Sequence, residues 1–195
     1  MKVKEFFKKY ILRFPVIEII VFALVLTIDL ISKTLVANAA YAADPSNPES
    51  LYIKVLGDFL RITYAENEGA AWSFLAGVPW AQTFFLILGA VAIPGFIVYL
   101  CFNRKKGMLI RVSLTLIIVG AAGNFIDRLF LKYVRDFISF SFFNPIFNIA
   151  DSALTIGVGL FILYAILDIV KDGKKRKGVE TAEKKETETD EKTQD

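Results

Sequence analysis

Four stretches of this chain are apolar over lengths that match the thickness of a lipid bilayer. They lie near Val16–Ser32, Ala81–Phe102, Met108–Phe125 and Ile146–Val170. A hydrocarbon core of about 30 Å is crossed by about 20 helical residues. The charge of the chain lies mostly outside them. Of 195 residues, 55% are apolar and 22% charged, and Lys171–Asp195 alone holds eight Lys or Arg and eight Asp or Glu. Without that tail the remainder is too apolar for a water-soluble surface. The pattern predicts an all-α integral membrane protein with four transmembrane helices. Residues 1–170 form the membrane-embedded domain, and residues 171–195 a charged cytoplasmic tail of disordered composition. Pro94-Gly95 should kink the second span. Arg111, near the start of the third, is placed to snorkel to the headgroups.

The flanks set the direction. Thirteen Lys or Arg lie before the first span (Lys2, Lys4, Lys8, Lys9, Arg13), between the second and third (Arg104, Lys105, Lys106) and just after the fourth (Lys171, Lys174, Lys175, Arg176, Lys177). Loop 34–80 carries only Lys54 and Arg61, and loop 126–145 only Arg128, Lys132 and Arg135. Both termini and the short middle loop are therefore expected in the cytoplasm, and the other two loops outside. The basic start followed by an apolar run resembles a signal peptide, but Lys33 and three more spans follow, so an uncleaved first helix is expected. Phe6–Phe14 mixes aromatic and basic residues, which suits a segment on the membrane surface. In the long loop, Leu51–Val55 and Leu60–Tyr64 around Gly57-Asp58 read as a hairpin, a small extracytoplasmic β element.

Composition also removes chemistries. There is no histidine, so a Ser-His-Asp triad, a Cys-His pair and a His-ligated zinc are out. Cys101 is the one cysteine, so neither an internal disulfide nor a multi-cysteine metal site can form. No metal or cofactor is expected. A net charge of +3, scattered along the chain, does not suggest a nucleic-acid partner.

What remains are polar residues in costly places. Asp29 and Lys33 share a helical face at i, i+4. A structural ion pair near the outer interface explains them as well as a site does. In Asn67-Glu68-Gly69-Ala70-Ala71-Trp72-Ser73, Asn67 offers an amide and Gly69 allows close approach; a tight turn is the plainer reading. Asn124 and Asp127 share a face at i, i+3, and Asp127-Arg128 either anchors a network or caps a packing face. Asp136, in the third loop, and Asp151, at the outer start of the fourth span beside Asn148, lie near one membrane face. Two carboxyls within hydrogen-bond reach share a proton, so one is base and the other acid, and water can be activated without metal or histidine. A proton-relay pair, as in a small transporter, or a helix cap at Asp151 are the competing readings.

Read together, these segments resemble the bacterial lipoprotein signal peptidase (signal peptidase II) family. Asp29-Leu30-Ile31-Ser32-Lys33 is similar to D-x-x-[ST]-K, and Asn67–Ser73 to N-x-G-A-[AS]-[FW]-S. Gly123-Asn124-Phe125-Ile126-Asp127-Arg128 is similar to G-N-x-x-D-R, Val134-Arg135-Asp136-Phe137 to V-x-D-F, and Phe147-Asn148-Ile149-Ala150-Asp151-Ser152 to F-N-x-A-D-[SA]. Each is short; five in order along four spans are specific. The chain departs from the family at Ala121, where the family often has glycine, at Lys132, where it often has glycine or another small or variable residue, and in a slightly short interval between Asp136 and Asp151. The resemblance implies an intramembrane aspartic endopeptidase of the bacterial cytoplasmic membrane, with its active site near the outer face. Its catalytic pair would be Asp136 and Asp151, supported by Asp29, Lys33, Asn67, Gly69, Asn124, Arg128 and Asn148, with Asp127 a structural partner. The implied substrate is a diacylglyceryl-modified prolipoprotein, cut on the amino side of the lipidated cysteine. Membrane lipids are the other expected partner, and the enzyme is expected to act as a monomer.

Overall fold

Long apolar runs form helices because a helix closes its backbone hydrogen bonds within one segment. The computed structural model describes residues 15–69, 75 and 77–191, with side chains to residue 173. The surface segment expected at Phe6–Phe14 and the Ala70–Ser73 part of the second motif lie outside them. Four long apolar helices carry the chain: α1 (Val16–Ala43), α2 (Ala81–Phe102), α3 (Met108–Phe130) and α4 (Ile149–Glu191). Each contains a stretch long and apolar enough to cross a membrane.

The ends of the helices depart from the apolar runs. The first outer loop was expected from Thr34, but α1 continues to Ala43. Its last turns pack on polar partners: the Tyr41 hydroxyl donates to Glu66 Oε1 at 2.8 Å, where Tyr64 also donates at 3.0 Å. Pro94 lies inside α2 without ending it. The fourth helix starts at Ile149, later than the apolar run at Ile146. Its backbone stays helical to Glu191, where a disordered tail was expected. Extending a helix already nucleated in the span adds one hydrogen bond per residue without a new nucleation cost. At the end of α3, Lys132 takes φ 74°, the left-handed conformation that closes many helices. Its amide donates to Arg128 O and its ammonium to Leu129 O.

The helices pack unequally. The core is concentrated on α3, with Ile110, Leu114, Ile117, Ile118 and Val119 buried. In α2 only Ala81 is buried; Phe84, Ile87, Leu88, Val91, Ile97 and Val98 are exposed. Such a continuous apolar surface suits lipid rather than water. Arg111 does not snorkel. It is buried in a forked pair with Glu18 of α1, its Nη2 donating to Oε2 at 2.9 Å and its Nε to Oε1.

The predicted hairpin is present as β1 (Tyr52–Leu56) and β2 (Leu60–Asn67), with Gly57 at φ +52° in the turn. It is half of a larger element. The segment between α3 and α4, read as a loop, forms β3 (Val134–Phe140) and β4 (Phe143–Phe147). All four strands make one antiparallel sheet in the order β1-β2-β3-β4. Pro145, which lacks an amide donor, sits in the edge strand β4. In the long-range pairing, Ala65 faces Asp136 and Asn67 faces Val134. This sheet is what carries Asp136 to the helix ends.

Close approach of α3 and α4 depends on glycines. A Cβ on Gly157 would lie 2.8 Å from Ile117 N and 2.9 Å from Ser113 O, and one on Gly120 would strike Ala150 O. A Cβ on Gly159 meets nothing within 4 Å. Gly157→Ala should therefore lower stability by about 1–3 kcal/mol through overpacking, whereas Gly159→Ala should not. Thermal unfolding in detergent checks this; an equal response of the two variants contradicts the packing.

Candidate active site

The start of α4 dictates the local geometry. The first amides of a helix have no partner within it. Asn148 precedes α4 and Asp151 is its third residue, the spacing of a capping box. Asp151 N donates to Asn148 Oδ1 at 2.9 Å, and Asn148 N donates back to Asp151 Oδ2 at 3.2 Å. A third amide, Ala150 N, donates to Asp29 Oδ1 of α1 at 2.8 Å. The helix N-cap considered at Asp151 falls instead on Asn148, and Asp151 answers it from the third helical position with one oxygen. The other, Oδ1, accepts from Asn124 Nδ2 of α3 at 2.7 Å.

Asp136 reaches the same place from the sheet. It is 2% exposed. Asn67 Nδ2, at the end of β2, donates to its Oδ2 at 2.9 Å, and Asn148 Nδ2 donates to its Oδ1 at 2.6 Å. One residue, Asn148, thus holds both carboxyls: Asp136 by its side chain and Asp151 by its backbone amide. Asn148 is itself fully buried.

Around this pair lies a shell of charge. Lys33, with no exposed surface, stands 2.9 Å from Asp29 Oδ2 and 3.5 Å from Asp127 Oδ2, and donates to Asn124 Oδ1 at 3.1 Å. The i, i+4 ion pair expected in the first span is present, and it is tied to the other helices. A Cβ on Gly123 would fall 2.6 Å from Asp29 Oδ2, so only glycine leaves room for that carboxyl. Arg128 Nη2 donates to Gly69 O at 2.7 Å, and the guanidinium lies 4.8 Å from the Phe85 ring centroid. Gly69 is buried beneath it. Asp127 holds Arg135.

All ten residues singled out in the sequence fall in this one cluster. Two members were missed. Arg135 stands between Val134 and Asp136 in a quoted motif, but only tertiary structure shows that it pairs with Asp127. Thr34 of α1, whose hydroxyl receives Arg135 Nη1 at 3.2 Å, carried no signal. Outside the cluster, Glu18 was also missed. An acid near the start of the first span and a base near the start of the third, at the same expected depth, was the available signal.

The two carboxyls are not equivalent. Burial, and then the negative charge of Asp151, push Asp136 up to about 7, against the opposing hydrogen bonds of Asn67 and Asn148 and the charge of Lys33. Asp151 sits at a helix N-terminus, where backbone amides favour an anion. Two carboxyls, one of them raised to about 7 and both oriented by three asparagines, form an arrangement that can polarise a carbonyl and activate a water.

Comparison with known proteins points the same way. A family model described as Signal peptidase (SPase) II matches residues 21–167. The chain is 45% identical over 140 residues to a lipoprotein signal peptidase of Latilactobacillus sakei subsp. sakei, across 71% of this chain and 84% of that protein. It is 37% identical over 163 residues to a lipoprotein signal peptidase of Staphylococcus haemolyticus, across 82% and 94%. A solved bacterial membrane enzyme is similar at a TM-score of 0.65 and 34% identity, over 80% of this chain and 91% of that one.

The buried ammonium makes a sharp stability prediction. Lys33→Met leaves Asp29 without its ion-pair partner and should cost about 3–5 kcal/mol. Asp29→Asn together with Lys33→Met should cost less than the sum of the single changes. Thermal unfolding of the four proteins in detergent measures the coupling; additive losses would contradict it.

Proposed function

The chain belongs to the signal peptidase II family and is a membrane peptidase of lipoprotein signal peptides; we propose that it is an aspartic endopeptidase in which Asp136 and Asp151 activate water directly. The observation that carries the mechanism is the double hold of Asn148 on both carboxyls. Asp151 takes a proton from water as the oxygen attacks the scissile carbonyl. Asp136 donates its proton to the carbonyl oxygen, giving a tetrahedral diol. Collapse of the diol returns a proton to Asp136 and delivers the proton on Asp151 to the departing nitrogen, which breaks the C–N bond. No metal or cofactor takes part in these steps.

The substrate of this reading is a prolipoprotein carrying a diacylglyceryl group, cut on the amino side of the lipidated cysteine. Such a substrate is an apolar helix with lipid tails, and the exposed apolar faces of α1 and α2 suit its lateral approach. The sheet holds the peptide in extended form near Asp136. Asn67 and Asn124 orient its backbone, and Arg128 fixes the Gly69 turn by a charge-assisted bond. In this reading both termini lie in the cytoplasm and the sheet, with the carboxyls, at the outer face, which the basic flanks support. There water reaches the site, which a mid-bilayer position would deny. One chain supplies every group of the mechanism, in keeping with a monomer.

Asp136→Asn and Asp151→Asn should each abolish cleavage of a lipidated precursor peptide, read by mass spectrometry. Helix content should be retained, and the unlipidated twin should be cut poorly by the wild type. Cleavage by either variant would sink the paired-carboxylate reading. The pH response has a definite sign. Asp136 titrates near 7 in the folded protein, against about 3.9 for a free aspartate. Stability from its protonated form is present below about pH 4 and lost as pH rises through about 7. Activity should fall over the same basic limb. Asp136→Asn, which cannot ionise, should lack that loss of stability in unfolding measured from pH 4 to 9.

A further inference from the structure

Arg135 is the residue next to Asp136, and the mechanism above gives it no task. Successive strand residues point to opposite faces, so its side chain leaves the carboxyl pair. It ends in a fork on Asp127, with Nη2 donating to Oδ1 at 2.7 Å and Nε to Oδ2 at 3.2 Å. Its Nη1 donates to Thr34 Oγ1 of α1 at 3.2 Å. Its backbone amide also donates to Asp127 Oδ2 at 3.1 Å, and its carbonyl accepts from Asn148 Nδ2 at 3.4 Å. Asp127 is only 1% exposed and is backed by Lys33. The residue leading into Asp136 is thus held at its amide, its carbonyl and its side chain.

That grip falls where regular strand pairing around Asp136 is short. The β2–β3 ladder is irregular between Ile62 and Ala65, on one side of Asp136, and ends at Asn67 opposite Val134 on the other. The β3–β4 ladder shifts between Ile138 and Phe140. Strand register sets which face each side chain takes, and with so few regular pairs beside it Asp136 has little ladder to hold its place. The α3–β3 connection is only residues 131–133, so Asp127 and Arg135 close a short loop that fixes where β3 begins.

We infer that Arg135 is a positioning residue of the proposed reaction: its fork on Asp127 and its bond to Thr34 lock the start of β3 so that the Asp136 carboxyl stays between Asn67 and Asn148. It touches neither substrate nor reacting atoms. The inference rests on the peptidase reading above. The bland alternative is an ion pair that adds stability alone, and the two differ in what they do to Asp136. The groups facing that carboxyl are Lys33 from α1, Arg128 from α3, Asp151 from α4 and the amides of Asn67 and Asn148. All of them remain when Arg135 is replaced, as does Asp127 behind the strand.

The test uses the full chain in detergent with the lipidated precursor peptide, with rates normalised to folded protein. Arg135→Met should lower kcat by about ten- to a hundredfold, the scale of a displacement of about 1 Å, with KM within about twofold of wild type. Its basic limb should move to lower pH, because a looser, wetter Asp136 loses its proton sooner. Arg135→Lys keeps a charge on Asp127 but no fork and should recover part of the rate. Thr34→Val should lower kcat less, with the limb moving the same way. A wild-type pH profile in Arg135→Met, with any loss accounted for by the folded fraction, overturns the inference. Where Arg135→Met does not fold, wild-type profiles in both Arg135→Lys and Thr34→Val overturn it equally. Failure of the wild type to cut the peptide, or cleavage by Asp136→Asn, is a different result: it removes the paired-carboxylate reading and this inference with it.

Discussion

The free amides at the start of α4 are the constraint around which the site is built. A helix that begins inside a folded structure cannot leave them to water. Here they are met by Asn148, by Asp151 itself and by Asp29 across the bundle. The same bonds fix the carboxyl of Asp151 and the side chain of Asn148, and Asn148 then reaches Asp136. Capping the helix and fixing the two carboxyls are one structural act. Replacing Asn148 by a residue that only caps would keep the helix and leave Asp136 with Asn67 alone.

Charge balance extends this arrangement to the other helices. A lysine with no exposed surface is tolerable only if carboxylates surround it. Lys33 has Asp29 and Asp127 on two sides, and Asp127 in turn takes the guanidinium of Arg135. The alternation of charge runs from α1 through α3 to β3, and its end lies next to Asp136. Far along α1 and α3, Glu18 and Arg111 make a second buried pair. The two helices are thus joined by charge at two levels.

The sequence disclosed what depends on local pattern. Apolar runs of bilayer length gave the four helices, and Gly57-Asp58 between short β-rich segments gave the first hairpin. It disclosed less where long-range pairing decides. Val134–Phe147 contains Arg135, Asp136 and Pro145 among its aromatics and alternates poorly; it becomes two strands because β2, far away in sequence, offers an edge. Helix ends were misplaced because hydropathy marks the bilayer rather than the helix, and α1 extends over the sheet to Ala43. The site was legible as a set, since ionisable residues in apolar surroundings are few enough to name. Which of them touch was not: that Asn148 joins the pair, that Asp127 turns to Arg135, and that Glu18 takes Arg111 are facts of three dimensions.

The inequality of the two aspartates follows from the different elements that carry them. Asp136 arrives on a strand, closed off from solvent and flanked by neutral amides, so burial there opposes its charge. Asp151 arrives on the first turn of a helix, less buried, with amide donors pointing at it. A symmetric pair would need some other asymmetry to decide which carboxyl holds the proton. Here burial alone already sets Asp136 apart before any substrate is bound. Moving the pair deeper into the spans would bury both carboxyls and deny them water. Moving it farther out would hydrate Asp136 and release its proton. The junction of sheet and helix start is where Asp136 can be closed off from solvent while Asp151 beside it stays part-exposed.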